Sequence, residues 1–559
     1  MSRYELSGNT AVKKAGKRYM GGMLILSVST LLCKVIGLLF KIPMLRIIGI
    51  EGMAYFSSAY HIYMLLLTMS TAGLPVALSM MTAKSAARGD RSEVSRIWQV
   101  SLSLLLPLGV IGTAVLYFGA GYFAEWISIP GSEYAIKAIS PTLFFICVSS
   151  AARGYFQGHE IMTPTALSQL IESLSKLLLG MGFAYVAINR GVDSPHVAAA
   201  AILGLTVGVA GGALYLTLRK LVFPQTRAYR SLYTAASDPA PRRTLAAQMI
   251  KIAFPVTISA SVTSLAGLAD TAMITSRLTG SGLAYDTALA LYSAYSNLAV
   301  PLYNLPTALI TPVAMSLVPA LSAAVAAGED KTAAEVLRTA FKVTLCAAIP
   351  ASLGLAVFAR PVLAMIYPAE SGSVAAAAPL LSVLASSVVF SCIITVTNAA
   401  LQSYSHPSMP IVSIAAGTLV KVLSEYLLVG STVGIYGAPL STLLCSVTVV
   451  LINLIFMHKY TPAQGIFRIG AVLRPLAASV VAIAAAIAVF VGATGLGAGN
   501  TVSLLAAIAA AVLIYAVAAL KLSAVTAEDI EMLPFGEKAA KLLGRVGMFR
   551  PIRRSRRGK

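Results

Sequence analysis

Nine ionisable side chains sit inside otherwise apolar stretches of the sequence: Lys34, Lys41, Arg46, Glu172, Lys176, Asp270, Arg277, Lys421 and Glu425. A charge held at the middle of a bilayer costs about 2.5–3.5 kcal/mol, so each needs a reason. Six are basic and three acidic, an excess of about three positive charges. Such an excess calls for an anionic ligand. Pyrophosphate suits it, because ammonium and guanidinium groups bind phosphoryl oxygens through charge-assisted hydrogen bonds. Enzyme chemistry is not indicated. His159 has no Ser or Cys partner and no metal-ligand cluster near it in sequence, there is no P-loop, and the five cysteines show neither zinc-type nor CxxC spacing. No metal or cofactor is expected.

The elements that must position these charges are membrane spans. Of 559 residues, 57% are hydrophobic and 11% charged, with a mean hydropathy of +0.82. The apolar residues fall in runs near 20 residues, the length that crosses a bilayer core of about 30 Å. A β-barrel would show short alternating segments instead. The expectation is an all-α polytopic membrane protein of about 14 helices, at 20–48, 53–82, 97–118, 134–156, 163–189, 195–221, 247–276, 284–322, 336–359, 374–402, 409–430, 434–457, 470–492 and 500–522. Basic residues cluster after the even-numbered spans, which places both termini in the cytoplasm of a cell membrane. The net charge of +21 reflects this topology and anionic lipid, not nucleic acid. The predicted organisation is a cytoplasmic tail (1–19), an N-lobe of six helices (20–223), a polar linker (224–246), a C-lobe of six helices (247–458), two further helices (459–523) and a basic tail (524–559).

The two lobes repeat each other. PVALS (Pro75–Ser79) returns as PVAMS (Pro312–Ser316), Gln157 and Lys176 have the same separation as Gln402 and Lys421, and Lys34 and Lys41 stand opposite Asp270 and Arg277. Six spans per block give both blocks one orientation, a parallel pseudo-twofold repeat, and in transporters so built the substrate site lies between the halves. Lys34 and Lys41, seven apart, share a helix face, with Lys34 roughly 21 Å above Met20 at 1.5 Å per residue. Neither surface is near Lys34, so it is expected to face a polar cavity; Arg46, close to the outer end, is expected to snorkel. Glu172 with Lys176, and Lys421 with Glu425, are i,i+4 pairs. They either neutralise themselves or line a cavity where substrate re-pairs them. Asp270 either neutralises Lys34 or binds a proton or Na⁺. Arg153, Gln157 and His159, in RGYFQGHEIMTPTA, form a polar patch at the cytoplasmic mouth or a headgroup-level loop.

RGYFQGHEIMTPTALSQLIE (Arg153–Glu172) and CKVIGLLFKIPMLRIIG resemble the multidrug/oligosaccharidyl-lipid/polysaccharide exporter superfamily, in its polysaccharide-transport branch; LADTAMITSRL is similar to the related drug exporters. The resemblance implies a V-shaped pair of lobes, alternating access, and movement of an undecaprenyl-pyrophosphate-linked sugar from the inner to the outer leaflet for cell-wall synthesis, by a monomer. It implies a cavity role for Lys34 and a lipid-tail groove made by the last two helices. A second basic position of the branch falls on Phe40 here, with Lys41 beside it. The substrate-binding set is then Lys34, Lys41, Arg153, Gln157, Lys176, Arg277, Gln402 and Lys421, with Glu172, Asp270 and Glu425 as charge partners or ion-coupling groups. Membrane potential can drive the cycle, with Na⁺ or H⁺ the alternative. Two other functions stay open: a drug/cation antiporter of the same fold, which wants a cavity rich in carboxylates and aromatic rings, and a non-transporting scaffold for cell-wall enzymes.

Overall fold

The computed structural model describes residues 2–159, 161–223, 240–368, 370–404, 406–461 and 469–524. Most of the expected linker and the basic tail lie outside the described residues, as do the side chains of residues 1–28 and of Lys34. The described chain contains helices and no strand. Eleven described helices are long and apolar enough to cross a membrane, or twelve if Ser371–Ala385 and Ser387–Ser403, bent by 47°, form one span. The protein is therefore a multi-pass α-helical membrane protein. Fourteen spans remain an expectation from hydropathy.

The chain divides into two compact units, Met1–Ser293 with Val429–Ser431, and Ala294–Leu428 with Thr432–Lys559. The first contains α1 (Ser2–Thr71), α2 (Leu74–Ala87), α3 (Arg91–Phe118), α4 (Ala120–Trp126), α5 (Glu133–Ile139), α6 (Thr142–Gly158), α7 (Thr163–Asn189), α8 (Ser194–Val222), α9 (Arg242–Gly280) and α10 (Tyr285–Ser293). α1 is not one rod. Gly49 interrupts it at φ 71°, ψ 179°, a backbone open to glycine and closed to most side chains. Phe40 and Phe56 would stand about 24 Å apart along an unbroken helix. Their ring centroids are 5.6 Å apart, so the chain doubles back at Gly49. α7 begins with Thr163-Pro164, proline at its first turn where no amide donor is lost, and α3 is capped by Asp90, whose side chain accepts from the Glu93 amide at 2.9 Å. Leu74, Leu78, Ile97, Leu105, Cys147 and Met249 join α2, α3, α6 and α9 in a buried core.

A polar seam fixes α1 to α9. His61 Nδ1 lies 2.7 Å from Thr271 Oγ1, and Thr68 Oγ1 lies 2.8 Å from Ser264 Oγ. Both partners step by seven residues, nearly two turns, so each helix presents one face to the other. α7 and α8 make an extensive helix pair in which glycine meets glycine: a Cβ on Gly204 would fall 2.1 Å from the Gly180 nitrogen. Gly204→Val must therefore push α7 away from α8. The expected result is a fall in melting temperature, read by a fluorescence melt; an unchanged melt would show that the pair tolerates separation.

The second unit holds α11 (Val300–Ala326), α12 (Asp330–Val357), α13 (Ala359–Ile366), α14 (Ser371–Ala385), α15 (Ser387–Ser403), α16 (Met409–Val429, whose last residue belongs to the first unit), α17 (Gly437–Tyr460), α18 (Ile469–Gly495) and α19 (Asn500–Lys521). Leu321, Phe341, Leu345, Val388 and Val396 form its core. Asn453 is fully buried and ties three helices together. Its amide donates to Thr397 Oγ1 at 2.8 Å and Asn398 Oδ1 at 2.9 Å, and its carbonyl accepts from Ser413 Oγ at 2.5 Å. With no water in the hydrocarbon region, such side-chain amides stay buried only when satisfied by the protein.

Candidate functional site

Four of the sequence-selected residues converge in the first unit. Arg153, on α6, forms an ion pair with Glu172 on α7, and its Nε donates to Ser168 Oγ at 3.1 Å. Ser168 Oγ in turn donates to the Thr165 carbonyl at 2.8 Å. Arg153 thus belongs to an interhelical link, not to a headgroup-level loop. This corrects the self-neutralised reading of Glu172 and Lys176: the carboxylate is taken by Arg153, because the guanidinium offers directed donors that a lysine lacks. Lys176 turns to α1, where its ammonium lies over the rings of Phe40 (4.8 Å), Tyr60 (4.9 Å) and Phe56 (5.6 Å). Lys41, half-buried and next to Phe40 in sequence, lies within the field of Lys176. Neither lysine makes an ion pair or hydrogen bond among the described residues. The result is two basic side chains on neighbouring helices, neither with a described carboxylate of its own, in helices where charge is costly.

The remaining selected residues take other places. Arg46 is exposed near the Gly49 turn. Gln157 is half-buried on α6. His159 is not at an open mouth: its ring is buried against Tyr155 and Phe223, and Nδ1 lies 2.8 Å from the Tyr155 carbonyl. Burial pushes its pKa below the ordinary imidazole value, against the smaller opposing pull of that hydrogen bond. Asp270 and Arg277 are half-buried on α9, and Arg277 packs so closely on Gly430 that a Cβ there would lie 2.2 Å from Nη2. In the second unit Lys421 and Glu425 are buried on α16, while Gln402 is exposed on α15. Lys421 lies within electrostatic reach of Tyr303, whose hydroxyl is 2.5 Å from Ser391 Oγ.

The rings carry no functional signal in the sequence. Phe40 stands out there only as a departure from a basic position. Phe56 and Tyr60 look like ordinary span residues. The break expected between the spans 20–48 and 53–82 falls at Gly49 and brings Phe40 beside Phe56; the spacing of these rings does not tell that they meet one ammonium.

A second feature lies wholly within the second unit. α11, α12, α13, α18 and α19 enclose an apolar groove of about 530 Å³. Leu305 and Leu309, Gly354, Ala482, Ala511 and Tyr515 are among its walls. Its two hydroxyls are turned to backbone: Ser479 Oγ donates to the Pro475 carbonyl at 2.7 Å and Tyr515 OH to the Cys346 carbonyl at 2.6 Å. The wall is left almost purely hydrocarbon, lined with alanine and glycine where the helices would otherwise close up.

Residues 20–325, more than half of the chain, match the family described as Polysaccharide biosynthesis protein, and residues 255–427 match MatE. The chain is 24% identical over 466 residues to the lipid II flippase MurJ of Bacillus subtilis (strain 168), covering 79% of this chain and 83% of that protein. It is 26% identical over 450 residues to stage V sporulation protein B of the same organism, covering 80% and 85%. Among solved structures, a lipid II flippase MurJ in an inward closed conformation shares the fold with a TM-score of 0.65 at 16% identity, covering 89% of this chain and 98% of that one. A helical multi-span fold, a sequence match over more than half its length and relatives that align over most of theirs agree: the chain belongs to the polysaccharide biosynthesis protein family, within the MOP superfamily of membrane transporters.

Proposed function

We propose that the protein is a flippase for a polyprenyl-pyrophosphate-linked sugar, carrying it from the inner to the outer leaflet by alternating access. The observation that carries this reading is the pair Lys41 and Lys176, two membrane-embedded cations with no described carboxylate between them. A diphosphate ester supplies the missing negative charge and relieves their repulsion. Each new contact is a charge-assisted hydrogen bond, worth about 1.5–3 kcal/mol. The groove supports the same reading independently. An almost purely apolar trough fits a hydrocarbon tail, and burial there contributes about 25 cal/mol per Å². Lipid II, the substrate named for one relative, belongs to this chemical class. Lys34, Gln157 and Arg277 in the first unit, and Gln402 and Lys421 in the second, are further candidate substrate contacts, with Asp270 and Glu425 as charge partners or coupling-ion sites. An organic-cation antiporter is disfavoured because the rings that would receive such a cation already hold Lys176.

Native mass spectrometry of the protein released from gentle detergent tests the substrate class. The expected result is co-purified polyprenyl diphosphate species, lost when Lys41 and Lys176 are both replaced by methionine. Recovery of phospholipids alone, in equal amounts with and without the lysines, would contradict the proposal.

A further inference from the structure

Glu172 and Lys176 are one turn apart on α7, in the order that favours an i,i+4 ion pair. On an isolated helix in a membrane that pair should close. It does not, and the cause has two halves. Arg153, which Ser168 Oγ also holds, draws Glu172 toward α6. Phe40, Phe56 and Tyr60 draw Lys176 toward α1.

We propose that Phe40, Phe56 and Tyr60 are positioning residues: their ring faces keep Lys176 from closing onto Glu172 and hold its ammonium ready for a diphosphate. This rests on the anion-carrier reading above and deepens it. The rings form one continuous wall, Phe40 to Phe56 at 5.6 Å, Phe56 to Tyr60 at 6.5 Å and nearly parallel, then Tyr60 to Tyr63 at 6.0 Å. Phe40 is fully buried and Phe56 almost so, which fixes the wall in place. A ring face attracts a cation through its quadrupole but accepts no proton and carries no net charge. It can therefore hold an ammonium without neutralising it, which a carboxylate cannot. The lysine's rotamer freedom is also spent before the ligand arrives, which is preorganisation. Two readings of one i,i+4 pair, self-neutralised or open to substrate, are thus decided by side chains on a different helix.

The test is a double-mutant cycle on inorganic pyrophosphate binding, measured calorimetrically on the purified full chain in nanodiscs. Phe56→Leu with Tyr60→Leu should weaken binding about tenfold, by freeing Lys176 to pair with Glu172. Phe56→Tyr with Tyr60→Phe should bind within about twofold of the unaltered protein, because the ring faces remain. In a Glu172→Gln background the leucine pair should have no further effect, since the competing carboxylate is gone. If the leucine pair weakens binding equally with and without Glu172, the rings act only as packing and the proposal is overturned; no weakening at all overturns it too. Should the double variant melt too low to assay, Tyr60→Leu alone, at a half-buried ring, carries the same cycle. An unaltered protein that binds no pyrophosphate would sink the anion-carrier reading itself, together with this one. Binding that is indifferent to the rings would sink this inference alone.

Discussion

Replacing Lys41 and Lys176 together by methionine abolishes transport, by about 10²-fold or more, while the protein inserts and melts at the same temperature or higher. The two effects have opposite signs for one reason. Two charge-assisted contacts to a diphosphate, at about 1.5–3 kcal/mol each, are lost from the loaded state. In the empty state, two like charges in a costly environment are replaced by apolar side chains of similar length, which is neutral or stabilising. A lysine that served only the fold would behave the other way, with stability falling first. Each single substitution should lose part of the activity, since the partner remains. Arg46→Ala should lose little, because that side chain is exposed. A parallel fall in activity and melting temperature in the double variant would indicate a structural role.

Filling the groove separates the two ends of the proposed substrate. A Cβ on Gly354 would meet only Ile483 Cδ1, at 3.9 Å, so a larger side chain there extends into the trough. Gly354→Phe is expected to displace a ring-sized patch of lipid contact of about 100 Å², a loss of about 2–3 kcal/mol, or tens-fold in affinity for a polyprenyl diphosphate. Binding of inorganic pyrophosphate should not change, because that ligand has no tail. Equal loss for both ligands would mean that the substitution distorts the unit generally. No loss for either would mean that the tail lies elsewhere.

Much of this architecture is legible in the sequence, and particular residues show where legibility stops. Long apolar runs specify spans because a bilayer leaves the backbone no other way to satisfy its hydrogen bonds. The charges inside those runs are conspicuous for the same energetic reason, so Lys41, Glu172 and Lys176 could be selected before any geometry was known, while Arg153 was selected from the polar turn it opens. Their pairing could not. Glu172 has Lys176 one turn away in sequence, yet it pairs with Arg153, nineteen positions earlier and on a different helix. Spacing along a helix shows which side chains can meet, whereas the neighbouring helix decides which do. Phe40, Phe56 and Tyr60 were hidden for a related reason. Aromatic residues in a span ordinarily face lipid or core, and only the reversal at Gly49 turns these three toward one ammonium. The groove is a product of tertiary packing, lined by alanine and glycine that are common throughout the chain.

The central claim is that uncompensated cations in the membrane carry a lipid diphosphate, and flipping in proteoliposomes measures it directly. A polyprenyl diphosphate with a fluorescent headgroup is loaded in one leaflet, a potassium-diffusion potential is imposed, and arrival in the other leaflet is followed with a membrane-impermeant quencher. On the proposed cycle the loaded site is close to neutral and the empty one returns with its lysines uncovered, so a potential would act on that returning charge with about 2.3 kcal/mol per charge per 100 mV for a full crossing. The account predicts flipping well above protein-free vesicles, faster when the potential is negative on the cytoplasmic side even without Na⁺ or H⁺ gradients, and absent when Lys41 and Lys176 are methionine. Flipping that ignores the potential and survives loss of both lysines would contradict it.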